Sequence, residues 1–320
     1  MRHLALRHLV DEPPDAPEVR AARRAAMRAD PIAAILDAQH PDGYWQKPGP
    51  GYAKKYTGTV WSLMFLDQMG ADPDDRRVRR ACDYVLAHSV TTTGAFAASG
   101  SHVDRPPPPS GVIHCLNGNL LRALIGFGYL DDERVRAAID WEADAITGEG
   151  FDGTRHRFYA SGTSGPGFGC AANERLPCAW GAVKAMLALV RIPSRRRGPE
   201  VRRAIAEGAA FLMSVDPADA AYPMGWGNTK PSGSWFKLGF PSGYVTDVLQ
   251  VLEVFAALGR VKDERFARAL GLVLEKQDAA GRWRNEYAYR GKMWVDVDEP
   301  RAPSKWVTLR ACTVLRAALG

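Results

Sequence analysis

Four of the histidine and cysteine residues, whose side chains are of the kind that bind zinc, fall in two short stretches of the sequence. His114 and Cys115 adjoin each other, whereas Cys170 and Cys178 flank a short loop-like stretch. Zinc takes thiolate and imidazole ligands in a tetrahedron, with one position open when the ion is catalytic. A thiol at a helix N-terminus also has a lowered pKa, which favours coordination. These four residues are the candidate zinc ligands, although small cysteines that fill helix starts are the competing interpretation.

A second set of residues combines cations with aromatic rings. Lysines near helix N-termini hold anionic head groups, whereas aromatic faces line an apolar tail or stabilise a carbocation. The set therefore predicts a site for an amphiphilic ligand, while core packing is the alternative for any single member. Its members are Lys54, Lys55, Lys237 and Lys305, with Tyr52, Tyr56, Trp180, Trp235, Phe236, Tyr244 and Trp306.

Two polar residues stand in otherwise apolar stretches. Asp247 lies one turn inside GYVTDVLQVL, where a carboxylate could act in catalysis or could satisfy a neighbouring helix N-terminus. Asn119 has a similar early position in HCLNGNLL, where it would bind the ligand or hydrogen-bond the loop backbone. We expect both residues to border the ligand site.

The elements that position these residues are two alternating types of helix. A charged type, with an acidic residue or proline at its start, is predicted five times. An apolar type, several copies of which end at glycine, follows each charged one. The charged stretches are 17–39, 75–89, 133–145, 199–214 and 263–277, and the apolar stretches are 58–70, 115–128, 178–190, 243–259 and 305–320.

The apolar helices indicate how the pairs are arranged. They are apolar nearly all round, which means that they are covered on both sides, and tandem units bury their faces against neighbours. The simplest arrangement closes the array into a ring with these helices inside. The sequence therefore predicts an all-α fold, an α/α toroid of about five hairpins over residues 17–320, with residues 1–16 as an N-terminal extension. Residues just before the inner helices should converge at one mouth of the ring.

A motif of glutamine, glycine and tryptophan recurs where charged helices end. It reads QHPDGYW at Gln39–Trp45 and QDAAGRW at Gln277–Trp283. Weaker copies place Gly94 with Phe96, and Gly150 with Phe151. From about Pro17 to the C-terminus, these turns and the helix alternation resemble the superfamily of squalene-hopene cyclases and protein prenyltransferases. The resemblance implies the same toroid and an isoprenoid ligand, but that superfamily hosts several activities.

The stretch DVDE, Asp296 to Glu299, resembles the Asp-x-Asp-Asp motif of class II terpene cyclases, with Glu299 in place of the last aspartate. In that family the central aspartic acid donates a proton to a double bond, which requires a carboxylic acid tuned by its neighbours. The resemblance implies Asp298 as the acid and Asp296 as its tuner. A solvated acidic turn is the alternative.

Composition narrows the classes of function. Hydrophobic residues make up 46% and charged residues 24% of the chain, as in globular proteins. The net charge of +6 comes largely from arginines on helix faces, and no nucleic-acid-binding motif accompanies them. Five cysteines, an odd number, favour a reducing compartment, and no apolar run is long enough for a membrane span. We therefore expect a cytoplasmic protein.

Three functions follow from these patterns. The preferred one is a terpene cyclase-like enzyme in which Asp298 or Asp247 starts the reaction on an isoprenoid or other amphiphilic substrate. The first alternative is a prenyltransferase-like transferase or hydrolase with zinc as cofactor. The second is a lipid- or peptide-binding toroid without catalysis.

Overall fold

The structure, a computed structural model, describes residues 1–52, 54–97, 103–149, 165–299 and 301–320. Within these ranges the regular structure is helical, and extended segments pair only as isolated bridges. The predicted all-α fold class is confirmed. The α-helices described are α1 (Arg2–Leu9), α2 (Pro17–Met27), α3 (Ile32–Asp37), α4 (Thr59–Gln68), α5 (Arg76–His88), α6 (His114–Gly126), α7 (Glu133–Thr147), α8 (Ala179–Leu189), α9 (Pro199–Leu212), α10 (Val248–Ala257), α11 (Ala267–Glu275) and α12 (Lys305–Leu319).

The apolar helices form an inner layer, as predicted. Successive members pack side by side, α4 on α6, α6 on α8, α8 on α10 and α10 on α12. Nearly all residues of α4 and α8 are buried, which explains why these helices are apolar on every face. The charged helices lie outside them, with α3 and α5 on α4, α7 on α6, α9 on α8 and α11 on α10. This two-layer arrangement is the α/α toroid.

The last inner helix, α12, is connected to the first, α4, through two other segments of the chain. Helix α1 packs on α12, and its His3 Nε2 is hydrogen-bonded to the carbonyl of Gly70, just beyond α4, at 2.9 Å. At the other end of α4, the indole Nε1 of Trp294 donates to the Ser62 hydroxyl at 3.2 Å. The stretch 1–16, which the sequence pattern places outside the toroid, thus contributes a helix that bridges the ring.

The starts of the outer helices follow the predicted chemistry. Asp75 and Asp132 are the N-caps of α5 and α7, and each accepts a hydrogen bond from the backbone two residues later, at 2.8 and 2.9 Å. Helices α2 and α9 begin with proline. The first charged stretch is two helices rather than one, because Pro31 lies between them and has no backbone N–H for a continuous helix.

The two tryptophan turns have the same geometry. Trp45 Nε1 donates to the carbonyl of Ile35 at 2.7 Å, and Trp283 Nε1 donates to that of Val273 at 2.6 Å, ten residues earlier in both cases. In each turn the tryptophan backbone N–H also donates to a threonine hydroxyl of the following inner helix, at 3.0 Å. The motif therefore locks the end of an outer helix to the start of an inner one.

One weaker copy keeps part of this geometry. The backbone N–H of Phe96 donates to Asn117 Oδ1 of α6 at 2.9 Å, so an asparagine replaces the threonine. Gly150 and Phe151, the other weaker copy, lie outside the described residues. Among the helices that the structure describes, none is both long and apolar enough to cross a membrane.

Candidate functional site

Residues 239–246, which we call the inner segment, run inside the ring of inner helices. Gln68 at the end of α4 exchanges two hydrogen bonds with the backbone of Ser242, at 2.8 and 2.7 Å. Asn119 of α6 and Lys184 of α8 donate to two further carbonyls of the segment, at 3.2 Å each. Asn119, a predicted ligand residue, is therefore a buried support of the inner segment, as its alternative interpretation states.

Aromatic rings cluster where the inner segment passes the N-terminal end of α4. We call Tyr52, Tyr56, Trp61, Tyr244 and Tyr289 the aromatic cluster. The ring centroids of Tyr56 and Tyr289 are 3.8 Å apart, and those of Tyr56 and Trp61 are 4.9 Å apart. Trp61 lies 5.0 Å from Tyr244, and Tyr52 lies 5.7 Å from Tyr244. The separations from 4.9 to 5.7 Å are those of attractive ring pairs, whereas the rings of Tyr56 and Tyr289 are stacked more closely.

A lysine ammonium already rests on two faces of this cluster. Lys55 Nζ is 5.4 Å from the ring centroid of Tyr52 and 6.0 Å from that of Tyr244. The faces of aromatic rings attract cations through their quadrupole. Lys54, its neighbour, is exposed at the same edge. Burial raises the pKa of Tyr244 well above its ordinary value, so its phenol is neutral at physiological pH.

Sequence reasoning identified Lys55 and the rings of Tyr52, Tyr56 and Tyr244 but missed the other two rings of the cluster. Trp61 is the third residue of α4, and the convergence of inner-helix starts would have included it. Tyr289 follows the second tryptophan turn, and nothing in its local pattern indicates that it lies inside the ring. Its hydroxyl accepts a hydrogen bond from the backbone N–H of Gly243 at 2.9 Å.

Other members of the predicted set lie in different surroundings. Trp235 is buried, donates from Nε1 to the carbonyl of Pro217 at 2.9 Å and packs on Tyr222. Phe236 is half-buried and Lys237 is exposed. Among the described residues, these side chains make no ring or cation contact with the aromatic cluster, because the loop that carries them packs near the end of α9.

The remaining three members belong to the starts of α8 and α12. Trp180 is half-buried against the core. Trp306 is buried and stacks on Phe240, with ring centroids 4.6 Å apart, and the exposed Lys305 places its Nζ 5.7 Å from the Trp306 ring. Within the described part of the chain, these rings also make no contact with the aromatic cluster.

Asp247 is the N-cap of α10, because that helix begins at Val248 rather than within the predicted stretch at Tyr244. Its Oδ1 accepts from the backbone N–H of Gln250 and its Oδ2 from that of Gly239, both at 2.9 Å. Arg310 of α12 lies 3.4 Å away. Both oxygens are thus committed to structure, and the placement of Asp247 inside the helix was wrong.

Asp296 and Asp298 differ in environment. Asp296 is exposed and accepts from the backbone N–H of Gly291 at 2.9 Å. Asp298 is half-buried, and its Oδ2 accepts from Asn285 Nδ2 at 2.9 Å and from the Ser304 hydroxyl at 2.8 Å. Both donors are neutral, and no described residue hydrogen-bonds Oδ1. Oδ1 of Asp298 is therefore available to a ligand, while the two hydrogen bonds to Oδ2 fix the orientation of the carboxyl group.

The loop that carries both aspartates reaches the aromatic cluster. The carbonyl of Lys292 accepts a hydrogen bond from the backbone N–H of Tyr56 at 3.4 Å. The bond from Trp294 to Ser62 attaches the same loop to α4, one residue after Trp61. The loop 290–299 is therefore fixed beside the cluster at two points.

Among the predicted zinc ligands, His114 is held by an ion pair and a backbone hydrogen bond. His114 Nδ1 lies 2.7 Å from Glu142 Oε1 and its Nε2 lies 2.9 Å from the carbonyl of Gly165, so both ring nitrogens are engaged. Although burial acts to lower it, Glu142 raises the pKa of His114, which favours the imidazolium, a form that binds no metal. Asn117 donates to the other oxygen of Glu142 at 2.6 Å.

The cysteines form a pair instead. The neighbouring Cys178 thiol lowers the pKa of Cys170 to about 6, and Cys170 in turn raises that of Cys178 well above its ordinary value. Burial raises the pKa of Cys115 to about 12. In the part of the chain that the structure describes, no three His, Cys, Asp or Glu side chains are placed to hold a metal ion. The zinc site expected at His114, Cys115, Cys170 and Cys178 therefore stays a prediction that the described side chains do not support.

Comparison with known proteins gives distant structural likenesses. No protein-family model matches the chain, and no curated protein does. The apo type II terpene cyclase MstE from Scytonema is 16% identical, with a TM-score of 0.48, over 98% of this chain and 86% of that one. A variant of MstE in complex with merosterolic acid A, its product, is 14% identical, with a TM-score of 0.35, over 93% and 96% of the two chains. A protein from Actinoplanes is 12% identical, with a TM-score of 0.33, over 94% and 99%. Each TM-score is under 0.5, so the toroid assignment rests on the helix packing of this chain.

Proposed function

We propose that this toroid is a terpene cyclase-type enzyme that holds an isoprenoid chain against the aromatic cluster and starts cyclisation by proton transfer from Asp298. The observation that carries the proposal is the position of Lys55 over the rings of Tyr52 and Tyr244. Rings that hold an ammonium ion on their faces are suited to a carbocation, which has the same charge.

Asp298 is preferred as the acid over the other two aspartates. Asp247 has both oxygens bound to backbone N–H groups and an arginine nearby, so neither oxygen is available to a substrate. Asp296 is exposed to solvent. Asp298 has neutral partners on one oxygen only, and its loop is attached to the cluster. A carboxylic acid in that setting can be oriented toward a double bond.

The proton-transfer step balances without a co-reactant. The O–H bond of the Asp298 carboxylic acid breaks, a C–H bond forms at one alkene carbon, and the adjacent carbon becomes cationic. Ring closure passes the charge along the chain beside the aromatic faces, and loss of a proton from the final cation ends the sequence. A diphosphate on the substrate remains attached, because no C–O bond is broken.

The experiment is incubation of the purified protein with geranyl, farnesyl and geranylgeranyl diphosphate, followed by phosphatase treatment and mass spectrometry of the extracted alcohols. We expect a cyclised alcohol with the mass of the linear one. Asp298→Asn should lower its rate of formation by roughly a hundredfold or more, since a general acid contributes at least that much. Asp296→Asn, two residues away and exposed, is the matched control and should have a smaller effect.

Two results would reject the proposal. Equal rates for Asp298→Asn and the wild type would remove Asp298 as the acid. Saturable binding of all three diphosphates without any cyclised product would favour the non-catalytic toroid. Circular dichroism of each variant shows whether a lost activity reflects a lost fold.

A further inference from the structure

A cavity opens at the end of the ring opposite the aromatic cluster. Its volume is about 860 Å³, within the range of small-molecule sites. The C-terminal parts of the inner helices line it, together with α1. Much of the wall is apolar, and includes Leu4, Phe127, Leu187, Val190 and Val314.

Two carboxylates and two arginines in the wall are paired with each other. Arg191 Nη1 lies 2.8 Å from Asp67 Oδ2. Arg310 makes a two-pronged pair with Glu253, with Nε 2.6 Å from Oε1 and Nη2 3.1 Å from Oε2. Each carboxylate therefore already has an arginine of its own.

Arg122 of α6 is a third arginine in the same wall and has no carboxylate to itself. Its Nε is 3.7 Å from Asp67 Oδ2, the oxygen that Arg191 occupies, and it hydrogen-bonds no described residue. Its side chain is 24% exposed. Burial lowers the pKa of Arg122, Asp67 and Glu253 act to raise it, and the charges of Arg191 and Arg310 lower it further. The guanidinium therefore shares its nearby carboxylates with Arg191 and Arg310, which pair with them more closely.

The charged side chains that line the cavity sum to a positive charge, which also favours an anionic ligand. Arg7 and Arg23 also line the cavity, so five arginines face two carboxylates, Asp67 and Glu253. An excess of like charge that is partly removed from water is costly, and an anion that enters the cavity would offset it. Guanidinium groups bind the oxygens of carboxylates and phosphates through two parallel hydrogen bonds.

We propose that this cavity binds an amphiphilic oxyanion, a carboxylate or phosphate on an aliphatic chain, with Arg122 as the head-group ligand. The apolar wall contacts the chain, and the excess of arginines selects the negative head. The proposal does not depend on the cyclase activity, because it concerns different residues at the other end of the ring.

Isothermal titration calorimetry with dodecanoate and with dodecyl phosphate tests this, since neither saturated chain can be cyclised. We expect saturable binding of at least one probe, and comparison of the two distinguishes a carboxylate from a phosphate ligand. Arg122→Met should weaken binding by roughly ten- to a hundredfold, the effect of losing a charge-assisted pair of hydrogen bonds. The matched control is Arg24→Met, which removes the same charge from an exposed position of α2.

A second variant keeps the test decisive if Arg122→Met does not fold. Ala256→Phe places a ring in the cavity wall without changing a charge and should weaken both probes. Binding that Arg122→Met and Ala256→Phe leave unchanged overturns the proposal, as does an equal loss in Arg24→Met. Failure of both probes to bind the wild-type protein overturns it as well.

Discussion

Replacement of Lys184 by methionine should change how the stability of the protein depends on pH. Lys184 lies within α8, is 1% exposed, and donates from Nζ to Gln250 Oε1 at 2.7 Å and to the carbonyl of Val245 at 3.2 Å. Both partners are neutral. Burial lowers the pKa of Lys184 from 10.5 to about 7, although Asp247 acts to raise it.

The size of the effect follows from linkage. Between pH 7 and pH 10.5 the unfolded chain binds a proton at this lysine that the folded protein has released, so stability rises with pH. The folding penalty is on the order of 4 kcal/mol at pH 7 and about 2 kcal/mol at pH 9. Below pH 7 both states are protonated, and the contribution no longer changes.

Urea denaturation of the wild type and of Lys184→Met at pH 7, 8 and 9 measures this directly. Methionine also removes two hydrogen bonds, so the absolute stabilities are less informative than their difference. We expect that difference to move in favour of the wild type by about 2 kcal/mol from pH 7 to pH 9. Lys262→Met, at an exposed site, controls for the loss of a charge as such. A difference constant to within about 0.5 kcal/mol would refute a buried lysine with a depressed pKa.

Three other predictions concern the helix packing, the tryptophan turns and the cysteine pair. A Cβ at Gly118 would lie 2.5 Å from the backbone of α8, whereas one at Gly271 meets no atom within 4 Å. By urea denaturation, Gly118→Ala should therefore destabilise the protein by about 1–3 kcal/mol and Gly271→Ala should stabilise it slightly; the reverse order contradicts the packing. Trp45→Phe and Trp283→Phe each remove one buried hydrogen bond and should each cost about 1–3 kcal/mol, and a large inequality would count against the shared geometry. Alkylation of Cys170 by iodoacetamide, followed by mass spectrometry, should reach half its maximal rate near pH 6, because the neighbouring Cys178 thiol lowers the pKa of Cys170; a midpoint above pH 8 would contradict that.

The fold could be predicted because its signals are local and repeated. Alternating charged and apolar helices, with caps at their starts, require only near neighbours in sequence. The glutamine, glycine and tryptophan turns added the register, and Trp45 and Trp283 indeed occupy equivalent places. Pro31 in the first charged stretch likewise indicates the break between α2 and α3, because proline interrupts a helix.

The candidate site was harder to predict because it depends on a segment that leaves the helical pattern. The inner segment, 239–246, lies inside the ring instead of at its mouth, which places Tyr244 in the aromatic cluster and makes Asp247 a cap. No periodicity marks a loop that folds inward. Tyr289 enters the same space from another loop, and its position depends on contacts distant in sequence.

The cavity at the C-terminal ends of the inner helices is indicated by a pattern in the sequence. Asp247 is a charged residue within a predominantly apolar stretch of the sequence. Arg122, Lys184, Glu253 and Arg310 share that property. All four lie on inner helices, and three of them line the cavity at the C-terminal end. A charge on an inner helix has to face either the interior of the ring or a partner, which makes it informative wherever it occurs.

The measurement that tests the central claim most directly is cyclisation in deuterium oxide. An acid O–H exchanges with solvent, so the proposed reaction, in which Asp298 supplies the proton, places solvent hydrogen on carbon. We predict a cyclised product that keeps its diphosphate and is heavier by one deuterium than the product made in water. A product without deuterium, or one that has lost its diphosphate during the reaction, would contradict initiation by Asp298.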